Sequence, residues 1–369
     1  MVSLVLVVAV LTAVVAAGHV FAIRNSRKSR DQTAVGDIGV RLDAFWNWWR
    51  TAGPRLAAAI DANQATSIAE ELSAKVHAID QRLAWETGPG LKGARHHLAL
   101  SSEGDIELRV LTERWMSRAP PADNNWEYYP ARQAFPRPSV KLVDAGGVII
   151  DAANVKIGCE IDAVREVVDV NFSHPALMKL DERQRSRAAL LTLDNLLGED
   201  GVERWLGRIT TSVEPIPGGK PVEELAAAVD GLKRVATGER FAIADGKTRD
   251  GQPFVATINL AVKRIDHLLM DEHLTISIML LDPTPQGLTT SEEAGALNAL
   301  EDELTASLGH DGVYIGRETG DGRRTIHFHV AAVGPAELRA RAWARRHSEP
   351  RIEIALRHDP SWEVLRRWK

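Results

Sequence analysis

The sequence predicts an α+β protein in three parts: an N-terminal transmembrane helix, an α+β domain, and a ferredoxin-like βαββαβ C-terminal domain. Three observations lead there. An uninterrupted apolar run opens the chain, a proline- and glycine-rich stretch breaks the periodic pattern near residue 214, and strand-like and helix-like segments then follow in the order β-α-β-β-α-β. With 369 residues, 44% of them apolar and 26% charged, the chain can bury more than one core. A formal charge of -5 does not suit a molecule built to neutralise phosphate, so no nucleic-acid partner is expected. The single cysteine, Cys159, excludes an intrachain disulfide and any zinc site made of several thiolates.

Residues 2–23 contain no ionised side chain apart from the titratable His19. As a helix they would reach about 33 Å, enough to cross the hydrocarbon core, which makes the lipid bilayer an expected partner. Arg24, Arg27, Lys28 and Arg30 follow at once and nothing basic precedes, so the positive-inside rule puts the N-terminus outside and the body in the cytoplasm, on a single-pass inner-membrane protein. A cleaved signal peptide would need a basic leading region, which is missing. Residues 24–37 read as a basic juxtamembrane linker.

Residues 38–213 read as the α+β domain. Phe45, Trp46, Trp48 and Trp49 open a helical region that Gly53-Pro54 should interrupt and that continues through Leu72, Val76 and Ile79. Extended runs are expected at 83–87, 97–100, 126–129, 148–150, 155–161, 167–172 and 208–213, with a helix over 106–116. Asp181 and Gln184 form a capping-box pattern ahead of a leucine-rich helix that Gly198 should end, with Glu199-Asp200 starting the next helical turn. The tryptophan cluster suits a packed core better than a membrane belt, since polar residues separate it from the apolar run. Residues 214–221, which include Pro215, Pro217, Gly218, Gly219 and Pro221, read as the interdomain linker.

In residues 222–369, a strand over 274–281 precedes a helix with the stripe Leu297, Leu300, Leu304 and Leu308. Strands over 313–318 and 325–330 flank Gly320-Asp321-Gly322 as a hairpin, and a helix from Pro335 and a strand over 351–356 complete the order. Both helices should cover one sheet face and leave the other open. Alternation puts Thr275, Ser277, Met279, Thr325, His327, His329, Glu353 and Arg357 on that open face. Ser277, His327, His329, Glu353 and Arg357, with Tyr314 from the hairpin, are the candidate binding residues.

The expected function is a membrane-tethered, regulatory or protein-binding module with an unknown protein partner. Walker, dinucleotide, GxSxG, HExxH and paired CxxC motifs are missing, so no cofactor is expected and an enzyme is disfavoured. Two alternatives stand beside it: a metal-dependent hydrolase using His327 and His329, with Glu353, Asp271, Glu272 or His273 as further ligand, and a structural envelope-associated protein. The arginines Arg339, Arg341, Arg345 and Arg346 and the pair Glu301-Asp302 read as solvated helix faces.

The strings GLTTSEEAGALNALEDELTASL, YIGRETGDGRRTIHFHV and DPSWEVLRRW resemble the bacterial family called domain of unknown function 695, over about Gly251 to Trp368. The FWNWW and LDNLLGED strings resemble a companion region of uncharacterised bacterial proteins. By overall pattern the C-terminal part is also distantly similar to the protein inhibitors of ribonuclease E, although their acidic tails are lacking. The resemblances imply a bacterial chain but no chemistry.

Overall fold

The computed structural model describes residues 26–62, 66–135, 139–142, 145–235, 240–248 and 250–368. The expected anchor, residues 2–23, lies outside them, and among the described residues no helix is long and apolar enough to cross a membrane. The chain is mixed α+β and forms two compact units, Arg24–Thr237 and Gly238–Lys369.

The first unit opens with α1 (Ser26–Asp61), α2 (Thr66–His77), β1 (Ala84–Pro89), β2 (His96–Ser101), α3 (Ile106–Met116) and β3 (Trp126–Tyr129). Residues 26–37, expected as a linker, belong to α1, and the helix runs on through Pro54 instead of breaking there. A proline inside a helix costs roughly 3 kcal/mol. Burial of Phe45, Trp46, Trp49, Ala52, Leu56 and Ala57 along one face outweighs it, and the Trp126 indole donates to the Gly53 carbonyl at 2.8 Å next to the proline. The tryptophans are core: Trp46 stacks on Trp115 with centroids 4.6 Å apart, and the Trp49 indole donates to Tyr128 at 2.9 Å.

A second core follows, built from β4 (Ser139–Leu142), β5 (Val148–Asp151), β6 (Lys156–Asp162), β7 (Val167–Ser173), α4 (Glu182–Leu197), α5 (Glu199–Trp205), β8 (Leu206–Ser212), β9 (Lys220–Pro221) and α6 (Glu224–Val235). The capping box of Asp181 and Gln184 starts α4, and Gly198, with φ 76°, ends it. Residues 214–221 do not divide the chain. The short strand β9 pairs with β6, and Val222, Leu225, Val229 and Leu232 are buried in this core, so the prolines shape a turn within the unit.

The second unit comprises β10 (Phe241–Lys247), β11 (Pro253–Asn259), β12 (Glu272–Met279), α7 (Ser291–Leu308), β13 (Gly312–Gly320), β14 (Arg323–Val330), α8 (Ala336–Ala344), β15 (Ile352–His358) and α9 (Glu363–Trp368). Strands β12 to β15 lie in the order β13-β14-β12-β15, every pair antiparallel, which is the split βαβ arrangement. Leu274, Ile276, Ile278, Ile326, Phe328 and Val330 meet Leu297, Leu304, Leu308, Ala340 and Trp343 of the two helices. Two features go beyond the expected unit. The hairpin β10-β11 extends the sheet to six strands by pairing with β13, and α9 folds onto the sheet face opposite α7 and α8.

Candidate functional site

The face expected to be open is covered. Trp362, Val364, Leu365 and Trp368 pack there with Ala256, Ile258 and Ile315 as a separate buried cluster. Asp359 makes the cover possible: its carboxylate accepts from the Glu363 amide at 2.9 Å, while its own amide donates to the Asp271 carbonyl at 2.8 Å. The indoles of Trp362 and Trp368 donate to the Met270 carbonyl at 3.0 Å and to Glu318 at 3.1 Å.

Beneath this cover His327, His273 and His329 form a stack. The His273 ring lies 5.2 Å from His327 and 5.3 Å from His329, tilted by 19° and 13°, and His329 stacks on Trp362 at 4.2 Å. Burial drives all three toward the neutral form, His273 down to about 4, His329 down to about 3 and His327 well below its ordinary value. His273 Nε2 lies 3.0 Å from His327 Nδ1, so these two rings hydrogen-bond to each other. Among the described residues no group of three or more His, Cys, Asp or Glu is placed to hold a metal. The other candidates are dispersed. Ser277 faces the Thr325 hydroxyl at 3.4 Å, Glu353 pairs with Arg351 at 2.6 Å, and Arg357 pairs with Glu363 at 2.9 Å.

Tyr314 lies on the opposite face, and it leads to a surface that no other element covers among the described residues. It packs edge-on against Phe328 at 5.4 Å and lies 6.3 Å from Phe241 of β10. Helices α7 and α8 cover the four original strands but not the added hairpin, which leaves a cleft of about 640 Å³ beside α7, lined by Phe241, Thr257, Asn259, Tyr314, Arg317 and Asp302 among others. Burial and Glu301 hold the Tyr314 hydroxyl far above its ordinary pKa, so it stays a neutral donor. Arg317 is engaged by Asn298 at 3.0 Å and Glu301 at 2.8 Å, while Asp302 and Asp245 are exposed.

β10 is an end strand of the sheet. The Leu260 amide donates to the Arg240 carbonyl and the Thr248 amide to the Gln252 carbonyl, so in the antiparallel register with β11 the even-numbered residues bond inward. Phe241, Ile243, Asp245 and Lys247 therefore direct their backbone groups outward. Phe241 is 43% and Ile243 54% exposed.

Sequence reasoning also missed a buried polar joint between the two cores of the first unit. Arg132 reaches Glu103 at 2.9 Å, Glu86 at 3.3 Å and Asp194 at 3.5 Å. Glu199 accepts from the Ser102 hydroxyl at 2.6 Å and from the amides of Ser102 and Arg132 at 3.1 Å. Burial first, then Glu199, pushes the Asp194 carboxyl up to about 7 despite Arg132. The motif LDNLLGED carries Asp194 and Glu199, but the partners come from distant segments with no fixed spacing.

Residues 247–367, about a third of the chain, match the model of a family of unknown function, DUF695. No curated protein and no solved structure gives a match.

Proposed function

We propose that this chain is a protein-recognition module whose second unit takes an extended strand of another polypeptide on the β10 edge, and that residues 2–23 tether it to the inner membrane with its body in the cytoplasm. The observation that carries the reading is β10 itself: outward N–H and C=O groups at alternate residues, flanked by exposed Phe241 and Ile243 above a cleft. Strand addition draws affinity from such main-chain groups and specificity from pockets beside them. Exposed Asp245 and Asp302 favour an incoming strand that alternates apolar and basic residues. His327 and His329 are buried, and His327 is hydrogen-bonded to His273 at 3.0 Å, which favours recognition at β10 over a metal-dependent reaction at these histidines.

The full chain in detergent tests this with synthetic eight-residue peptides. A valine-lysine alternating strand is expected to slow hydrogen exchange at the Ile243 and Asp245 amides, and a valine-glutamate strand to do so more weakly. If neither peptide alters those amides, the docking reading fails. The tether has a separate check: the body should resist added protease in intact spheroplasts and be digested after lysis.

A further inference from the structure

Independently of strand docking, the joint between the two cores of the first unit gathers four carboxyl groups about Arg132. Glu86 of β1, Glu103 and Asp194 of α4 surround the guanidinium of Arg132, and Glu199 of α5 accepts from the Arg132 backbone amide. Other charged groups adjoin it among the described residues. Arg187 touches Glu103 at 3.4 Å from an exposed position, His97 of β2 lies 3.9 Å from Glu86, and Arg109 of α3 is committed to Asp200 at 2.8 Å and Glu113 at 2.9 Å.

The four carboxyls are not equally served. Glu199 has both oxygens filled by donors from Ser102, Gly104 and Arg132. Glu103 has two guanidinium contacts and Glu86 a hydrogen bond from Arg132. Asp194 has one long contact on Oδ2, while its buried Oδ1 has no hydrogen-bond partner, and the residue is 1% exposed. It also stands in the last turn of α4, where the helix dipole disfavours negative charge. A buried carboxylate so poorly solvated is far costlier than a neutral carboxylic acid at the same place.

We infer that this joint is a proton-operated latch: the two halves of the first unit close on each other while Asp194 holds a proton, and the seam loosens when Asp194 gives it up. The elevated value for Asp194, about 7 against an ordinary 3.8, sets the window. Between those limits the closed form binds a proton that the opened form releases, so closure weakens as pH rises and levels off above the folded value. The amides of Ser102, Gly104 and Arg132, all bonded to Glu199 across the seam, report opening.

Hydrogen exchange of these three amides in the full chain, corrected for intrinsic rates, tests the inference. The opening constant is expected to rise about tenfold per pH unit between pH 4.5 and 6.5 and to flatten above about pH 7, because one proton is released. Asp194→Asn, which mimics the protonated acid, should remove that slope. An equal slope in wild type and Asp194→Asn overturns the latch. If Asp194→Asn does not fold, two measurements on folded protein decide the matter. The Asp194 carboxyl carbon should titrate near neutrality, and Glu103→Gln should move that midpoint to lower pH. Titration in the ordinary carboxylate range, or a midpoint indifferent to Glu103→Gln, overturns it.

Discussion

Strands β15 and β10 are the two ends of one six-stranded sheet, yet they treat their exposed surface in opposite ways. β15 is flanked by charge: Arg351 pairs with Glu353, Arg357 with Glu363, and the His358 ring with Glu272 at 3.0 Å. Ile352, Ile354 and Leu356 turn inward onto the α8 side. Charged side chains on an edge discourage further strand pairing. β10 has apolar Phe241 and Ile243 exposed and a cleft beneath them, with Asp245 and Lys247 only at its far end. One edge is blunted and the other is left available, and that difference locates recognition at the added hairpin.

The comparison can be broken first by attacking the covered side. Trp362→Ala removes the ring stacked on His329 and opens a cavity beneath α9, so unfolding in urea should show a loss of about 3–5 kcal/mol. Acid should act on the same region. His273 and His329 have folded values below the ordinary 6.5, so their stabilisation is complete above that pH and is lost as pH falls through the folded values. By pH 4 His273 alone should cost about 3 kcal/mol by linkage. Exchange should therefore rise at α9 and β14 on acidification, with His273→Gln reducing the effect.

Proline substitution sharpens the contrast within β10. Ala242→Pro removes an inward N–H and should destabilise the second unit by about 1–3 kcal/mol, whereas Asp245→Pro removes an outward N–H and should shift the melting curve little. The smallest effect is expected at the blunted edge. Arg351→Ala breaks an exposed ion pair and should change stability by about 0–1 kcal/mol.

The elements that sequence reasoning resolved share strong local signals. The α7 stripe of Leu297, Leu304 and Leu308, the Asp321-Gly322 turn with φ 52° and 70°, and the Asp181 capping box each depend on residues a few positions apart. What was missed depends on tertiary partners. Helix α9 has only six residues, and it forms because Asp359 caps it and the histidine face receives Trp362 and Trp368. The hairpin β10-β11 has a modest pattern, but its register on β13 reverses which part of the sheet is uncovered. Of the candidate residues, His327 and His329 proved to be core and Tyr314 lines the cleft. Distinguishing them required knowing what covers each face. The Asp194 joint was illegible for the same reason, since Glu86, Glu103 and Arg132 meet it only after folding.

The most direct test of the recognition claim is photo-crosslinking in intact cells from a probe at residue 243, compared with one at residue 355 on β15. The account predicts a discrete adduct from residue 243 that Asp245→Pro abolishes while the chain stays folded, and none from residue 355. Equal adducts from both edges, or an adduct at residue 243 that survives Asp245→Pro, would contradict it.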